Sequence, residues 1–308
     1  MEETNQTQAA EQQQQPQEEN VQKDQKIALV FVCGLCGIGK SSLLSKAVDT
    51  WKNKYNLNVY CAESDTFRQS AMKEEKEKPE SAALSPRSLE LKSKPLYYQH
   101  LLEGSARLVE ELANIKGNNV FILDKNYVNE EVRANIFKAA RKHCKSVSSF
   151  LILPHQSKDP ELAIVRDGKQ NWFHLDTLAV SLVRSFSRKG HKSLCHGYSH
   201  ALKSIVGCLN SFYGVDMLEI CERYDMKVLD FDYFEPDVII EEVKKEETRK
   251  LIETILPLGE HFEEEVGDNF HDELFKVTSL IEKATKRIDR SEQAEQISIT
   301  VAETLLDD

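Results

Sequence analysis

Residues 34–41 read Gly-Leu-Cys-Gly-Ile-Gly-Lys-Ser, and this stretch decides the fold. It follows a nearly continuous apolar run, residues 26–32, that is typical of a central parallel strand, and it precedes helical periodicity over residues 41–52. Glycines let successive backbone N–H groups turn inward around a phosphate, and the helix N-terminus adds a positive partial charge. Strand, loop and helix in direct succession therefore predict a phosphate-binding loop (P-loop) rather than a chance glycine-rich turn.

The loop residues predict how a nucleotide would be held. Lys40 is expected to reach the β- and γ-phosphates, and the Ser41 hydroxyl to bind Mg²⁺. The expected cofactors are Mg²⁺ and, as phosphate donor, ATP or GTP. The candidate nucleotide-binding residues are Gly34, Gly37, Gly39, Lys40, Ser41 and Ser42.

The rest of the chain alternates between short apolar runs and helical patterns, which predicts an α/β fold with a doubly wound parallel sheet. Further strands are predicted at 58–62, 120–123, 150–153 and 238–240, and helices at 96–115, 130–143, 244–257 and 270–288. Residues 174–212 read as mostly helical, and 73–95 as a mobile connection. The predicted domains are a disordered Gln/Glu-rich tail (1–25), one domain (26–290) and a frayed acidic tail (291–308).

Composition limits the function classes. A net charge of −11 argues against a surface that grips nucleic acid everywhere, but allows a local basic groove. Seven cysteines, an odd number with irregular spacing, favour a reducing compartment, so an intracellular site, cytoplasmic or nuclear, is expected. No apolar run approaches the ~20 residues needed to cross a bilayer, so no membrane partner is expected.

The type of phosphate chemistry depends on other residues. The chain contains neither the [Asn/Thr]-Lys-x-Asp guanine signature nor the Asp-x-x-Gly switch of signalling GTPases. A kinase needs a carboxylate that activates the acceptor, and cations on the transferring group. Asp65 follows the second strand beside the loop, and Arg68 lies one helical turn farther on. The alternative is that Asp65 caps a helix that begins at Thr66.

Four segments carry a family resemblance that extends over about residues 26–290. Residues 65–72, Asp-Thr-Phe-Arg-Gln-Ser-Ala-Met, resemble the acceptor-site segment of phage-type 5′-hydroxyl polynucleotide kinases. Asp124-Lys125-Asn126, with Arg133 on the next helix, is similar to the kinase module of fungal-type tRNA ligases. The run 184–191 resembles the Arg-rich lid of that module, although its order departs from the family pattern, and 234–240 fits the end of the module.

The resemblance implies a P-loop kinase with a helical lid, and a role for each matching residue. Asp65 would accept the proton of a terminal 5′-hydroxyl, and Arg68 would hold a phosphate of the acceptor strand. Arg184 and Arg188 would close over the triphosphate, although the basic cluster at 184–192 could also be a solvated helix end. Asp124 would act near Mg²⁺ with Ser41, and Asn126 would shape the site. The implied catalytic residues are Asp65, Lys40, Arg68, Arg184 and Arg188.

The implied acceptor is a 5′-OH nucleic-acid end, with RNA favoured over DNA, in RNA processing of the tRNA-splicing kind. The ligase motif Lys-x-Asp/Asn-Gly is missing, so sealing would need a separate ligase or phosphoesterase chain. Two alternatives stay open. One is a P-loop kinase of a small molecule or of an aminoacyl-tRNA, and the other is a non-catalytic nucleotide-binding assembly factor.

Overall fold

The computed structural model describes residues 25–186, 198–232, 236–258 and 289–306. Five strands form one sheet in the order β2-β3-β1-β4-β7, and every neighbouring pair is parallel. The strands are β1 Lys26–Val32, β2 Asn58–Glu63, β3 Asn119–Asp124, β4 Ser146–Pro154 and β7 Met226–Phe231, and a separate antiparallel hairpin contains β5 Ala163–Arg166 and β6 Lys169–His174. The predicted α/β class with a doubly wound parallel sheet is confirmed.

Helices cover the sheet. They are α1 Lys40–Asn53, α2 Ser64–Lys76, α3 Pro86–Lys92, α4 Lys94–Ala113, α5 Glu130–His143, α6 Leu175–Phe186, α7 Tyr198–Asn210, α8 Met217–Tyr224, α9 Pro236–Lys244, α10 Glu246–Leu258 and a C-terminal helix, Ser291–Leu306. Because the strand order reverses beside β1, right-handed crossovers put α1 on one face and α4 and α5 on the other. Residues 27–32 of β1 are buried, as a central strand requires.

The strand predicted at 238–240 is wrong, because these residues lie in α9. A short apolar run does not distinguish a strand from a buried helical turn, and Ile239 and Val243 are both buried at helical spacing. Among the described residues, the last strand of the sheet is β7, at 226–231, where only the two end residues are buried.

The mobile connection predicted at 73–95 is also wrong, because α2 continues to Lys76 and α3 occupies 86–92. The buried carboxylate of Glu75 accepts hydrogen bonds from Lys78 at 2.6 Å and from Ser81 at 2.8 Å. Lys92, at the end of α3, lies 3.3 Å from the same carboxylate. These contacts order a segment whose composition alone suggests mobility.

The frayed tail predicted from residue 291 is instead the C-terminal helix, which packs on α1. The indole N–H of Trp51 donates to the Ser298 carbonyl at 3.1 Å, and Ile297, Val301 and Leu305 are buried. Residues 1–24 of the predicted disordered tail and the predicted helix 270–288 lie outside the described residues. Within the described ranges, no helix has both the length and the apolar character that crossing a bilayer requires.

Candidate functional site

The phosphate loop, residues 34–41, lies at the carboxyl end of β1 and has the backbone that a glycine-rich cradle needs. Gly34, Gly37 and Gly39 have φ values of 141°, 81° and 96°. A Cβ at Gly37 would lie 2.6 Å from Ser185 Oγ and 3.1 Å from the Ser181 carbonyl oxygen. The loop therefore requires glycine here both for its left-handed conformation and for close packing.

Lys40 begins α1 and points its ammonium group back into the loop. Its Nζ donates to the carbonyls of Gly34 at 3.0 Å and Leu35 at 2.9 Å, and to Asn126 Oδ1 at 2.8 Å. All three acceptors are neutral, so the contacts fix the position of the charge without cancelling it. Asn126 also donates to Cys36 Sγ at 3.1 Å, so it contacts both Lys40 and the loop.

Helix α6 supports the outer side of the loop. Ser181 Oγ donates to the Cys36 carbonyl at 2.6 Å, and Arg184 Nη1 donates to the Ile38 carbonyl at 3.1 Å. The Ser185 hydroxyl is buried beside Gly37 and has no hydrogen-bond partner among the described residues. Arg184 thus lies against the loop, whereas Arg188 lies outside the described residues.

Arg290, just before the C-terminal helix, was missed by the sequence analysis. Its Nη1 donates to the Gly39 carbonyl at 2.9 Å and its Nη2 donates to the Ile38 carbonyl at 3.1 Å. The side chain is buried, and its guanidinium lies 5.7 Å from the ring centroid of Phe231. No local pattern in the sequence could have found this contact, because it joins residues 251 positions apart.

We expect Arg290→Lys to destabilise both the fold and the loop, because an ammonium group cannot reproduce the planar fork that reaches two carbonyls. Hydrogen bonds from a charged donor contribute about 1.5–3 kcal/mol, so the free energy of unfolding should fall by about that amount. Denaturant titration measures this loss. The control is Arg107→Lys, on an exposed i,i+4 pair with Glu111. Equal effects of the two substitutions would contradict the supporting role of Arg290.

The carboxyl ends of β2 and β3 bring acidic side chains to the other side of the loop. Ser41 Oγ donates to Asp124 Oδ2 at 3.4 Å. Burial raises the pKa of Asp124, Lys40 opposes that rise, and the carboxylates of Glu63 and Asp65 add to it. The charge of Asp65 therefore acts on Asp124 at this edge of the sheet, and we call the region between these two residues and the loop the cleft. Because these carboxylates concentrate negative charge, a cation bound between them and the loop would be stabilised.

Asp65 lies in the first turn of α2, which begins at Ser64 and not at Thr66. The residue at the N-cap position is Glu63, whose side chain makes no capping hydrogen bond. The alternative interpretation of Asp65 as the cap residue is therefore wrong. Its charge lies close enough to Asp124 and Tyr97 to contribute to the raised pKa of both residues.

Arg68 lies on the same helix as Asp65 and is held beside the cleft. Its guanidinium carbon lies 5.6 Å from the ring centroid of Tyr97, and Nη1 lies 3.6 Å from Glu90 Oε1. Ser42, also a predicted nucleotide contact, is exposed on the first turn of α1. Arg133 is buried and donates to Glu130 at 3.1 Å and to the Val128 carbonyl, so it supports the fold rather than the site.

Asp176, in the first turn of α6, is a buried carboxyl whose Oδ1 has no hydrogen-bond partner among the described residues. Burial raises the pKa of Asp176 from 3.8 to about 6. The folded state therefore binds this proton more tightly than the unfolded chain does. The contribution of Asp176 to stability becomes unfavourable as the pH rises from about 4 to 6, and stays so above that range.

We expect Asp176→Asn to raise the free energy of unfolding, by up to about 3 kcal/mol at pH 8, because it removes the buried charge. The gain should be smaller at pH 5, by about 1.4 kcal/mol, since the wild-type carboxyl is then largely protonated. Denaturant titrations at the two pH values measure this difference. Asp49→Asn, on the exposed side of α1, is the control. A gain that does not depend on pH would contradict the burial of an ionised group.

Two further features bear on ligands. The described residues contain no group of three or more His, Cys, Asp or Glu side chains suited to a metal. The two residues predicted to contact Mg²⁺, Ser41 and Asp124, lie within hydrogen-bond distance of each other. A cavity of about 570 Å³ lies elsewhere, between the β5–β6 hairpin, α7 and α10. Its lining contains none of the loop residues, so it is separate from the candidate site.

Comparison with known proteins adds little. No protein-family model matches the chain, and no curated protein matches it significantly. Among solved structures, one match is described as the molecular and structural characterization of the PezAT chromosomal toxin-antitoxin system of the human pathogen Streptococcus pneumoniae. It is 12% identical and covers 84% of this chain and 86% of its own, with a TM-score of 0.30. Similarity this low supports no functional inference.

Proposed function

We propose that this protein is a kinase that transfers the γ-phosphate of ATP or GTP to the 5′-hydroxyl end of a nucleic acid, with RNA favoured over DNA. The observation that carries the proposal is the position of Asp65. It lies in the first turn of α2, directly after β2, close enough to Asp124 for its charge to raise the pKa of that residue, and Arg68 lies on the same helix. A carboxylate and a cation on the acceptor side distinguish a phosphotransferase from a simple nucleotide binder.

The donor side follows from the loop. Inward-facing N–H groups and the N-terminus of α1 would bind the phosphates, and Lys40 would neutralise charge on the β- and γ-groups. The unpartnered hydroxyl of Ser185 and the guanidinium of Arg184 lie on the side of the loop covered by α6. Ser41 and Asp124 would hold Mg²⁺, which would supply positive charge to offset that of the phosphates.

The acceptor side follows from Asp65. The hydroxyl oxygen of the acceptor would form a bond to the γ-phosphorus while the bond from phosphorus to the β,γ-bridging oxygen breaks, releasing a nucleoside diphosphate. Asp65 would accept the hydroxyl proton, and Arg68 would exchange its contact with Glu90 for a phosphate of the acceptor strand.

The test is transfer of label from γ-labelled ATP and GTP to single-stranded RNA and DNA of one sequence with a 5′-OH end. The same oligonucleotides with a 5′-phosphate are the control, because they have no acceptor hydroxyl. Label on the 5′-OH strands alone supports the proposal. Failure with every strand and both nucleotides would overturn it. Transfer to a small metabolite or an aminoacyl-tRNA would then support one alternative, and slow hydrolysis within a stable complex would support an assembly factor.

A further inference from the structure

Two adjacent tyrosines and a lysine form a surface beside Asp65, which we call the tyrosine shelf. Tyr97 and Tyr98 lie in the first turn of α4 with ring centroids 5.3 Å apart. Lys125, the residue after β3, holds its Nζ 5.7 Å from the centroid of Tyr97 and 5.8 Å from that of Tyr98. Tyr97 is buried, whereas Tyr98 is 54% exposed. An exposed ring of this size, fixed by a buried one, is suited to stacking on a flat partner.

The charge on Lys125 lacks an acidic partner. No carboxylate forms an ion pair with it among the described residues, and its contacts are with the two tyrosine rings. Arg68 lies near Lys125, because its guanidinium carbon is 5.6 Å from the centroid of the same Tyr97 ring. Two cations at a partly buried site, one of them without a carboxylate, make binding of an anion favourable.

The tyrosine shelf adjoins the acceptor side of the candidate site. Lys125 directly follows Asp124, whose carboxylate faces the loop. Tyr97 contacts the guanidinium of Arg68 and is close enough to Asp65 for that carboxylate to contribute to the raised pKa of Tyr97. A strand whose 5′ end reached Asp65 would therefore pass over Arg68, Lys125 and Tyr98.

We propose that the tyrosine shelf binds the first nucleotides of a single-stranded acceptor, with a base stacked on Tyr98 and a backbone phosphate on Lys125. This inference rests on the proposed kinase function and adds a substrate class to it. A base can lie flat on a side chain only when it is not stacked and paired within a duplex, so the 5′ end must be single-stranded. A free nucleoside or a blunt duplex end should bind the tyrosine shelf more weakly than a single strand does.

The decisive measurement is the affinity for fluorescent 5′-OH single strands, read by anisotropy, which does not depend on catalysis. We expect Tyr98→Ala to weaken this affinity about 10-fold or more, since a base stacked on an aromatic ring contributes substantially to binding. Tyr98→Trp should retain it, and Lys125→Met should weaken it and reduce its salt dependence. In these variants, affinity for ATP and GTP should stay within about 2-fold of wild type. A larger loss of nucleotide affinity would mean that the substitution had also disturbed the phosphate loop.

Matched controls are Leu218→Ala, an exposed apolar residue on α8, and Lys138→Met, an exposed lysine on α5. If Tyr98→Ala and Lys125→Met both bind single strands as tightly as the wild type does, the tyrosine shelf is not the acceptor site, even if the wild-type protein transfers phosphate. Conversely, if single strands bind in a way that depends on Tyr98 but no phosphate is transferred, the tyrosine shelf is supported as a binding site and the proposed kinase function is contradicted. Equal affinity of the wild type for single strands and blunt duplexes would also contradict the proposal.

Discussion

Asp65→Asn is expected to lower kcat for transfer to a 5′-OH strand by roughly 100-fold to 10,000-fold, the usual contribution of a general base. Asparagine keeps the size of the side chain but cannot take the proton of the attacking hydroxyl. Nucleotide affinity should be unchanged or slightly increased, because one carboxylate is lost from the cleft that contains Asp124. Transfer assays at saturating acceptor and calorimetric titration with nucleotide separate the two effects.

The control for this substitution is Asp49→Asn, an exposed carboxylate on α1 that lies outside the cleft. If the control keeps full transfer activity while Asp65→Asn loses it, the loss is specific to the carboxylate at position 65. Transfer at the wild-type rate by Asp65→Asn would contradict the role of this carboxylate, and would leave nucleotide binding as the activity to explain.

Lys40→Met is expected to weaken nucleotide binding and to lower kcat/KM by about 1,000-fold or more, because a charge directed at the transferring phosphoryl group is lost. Methionine keeps the length of the stem but leaves the Gly34 and Leu35 carbonyls and Asn126 Oδ1 without their donor. The loop should therefore become less ordered as well as less positive. Nucleotide titration and the transfer assay measure the two losses.

Lys46→Met is the matched control, because Lys46 lies on the same helix and forms an exposed ion pair with Asp289 at 3.0 Å. Exposed pairs contribute little to stability, so this variant should behave as wild type. If Lys40→Met binds nucleotide as tightly as this control, the loop does not bind phosphates through Lys40.

The sequence predicted the elements whose pattern is local. The apolar run of β1, the glycine spacing and the Lys-Ser pair identified the loop, and the periodicity of α5 predicted residues 130–143, the bounds that the helix has. Asn129 accepts from the Val132 N–H at 3.2 Å, and acidic and basic residues occupy the first and last turns. Here caps, charges and apolar spacing all indicate the same structure.

The predictions that were wrong concern segments whose structure depends on packing against distant parts of the chain. At residues 238–240 a run of three apolar residues fits either period, and only burial against the rest of the fold selects the helix. The C-terminal helix carries enough acidic residues to suggest a solvated tail, yet Ala294, Ile297, Val301 and Leu305 share one buried face. Arg290 and the tyrosine shelf depend on contacts between distant segments, which no window of sequence contains.

The hydrogen bonds from Arg290 to the carbonyls of Ile38 and Gly39 have a consequence for folding during synthesis on the ribosome. The glycine cradle emerges early, but the guanidinium that supports it emerges about 250 residues later. Nascent and prematurely terminated chains therefore carry the nucleotide motif without its brace. In such chains the carbonyls of Ile38 and Gly39 lack these two hydrogen bonds, so we expect the loop to be less ordered than in the full-length protein.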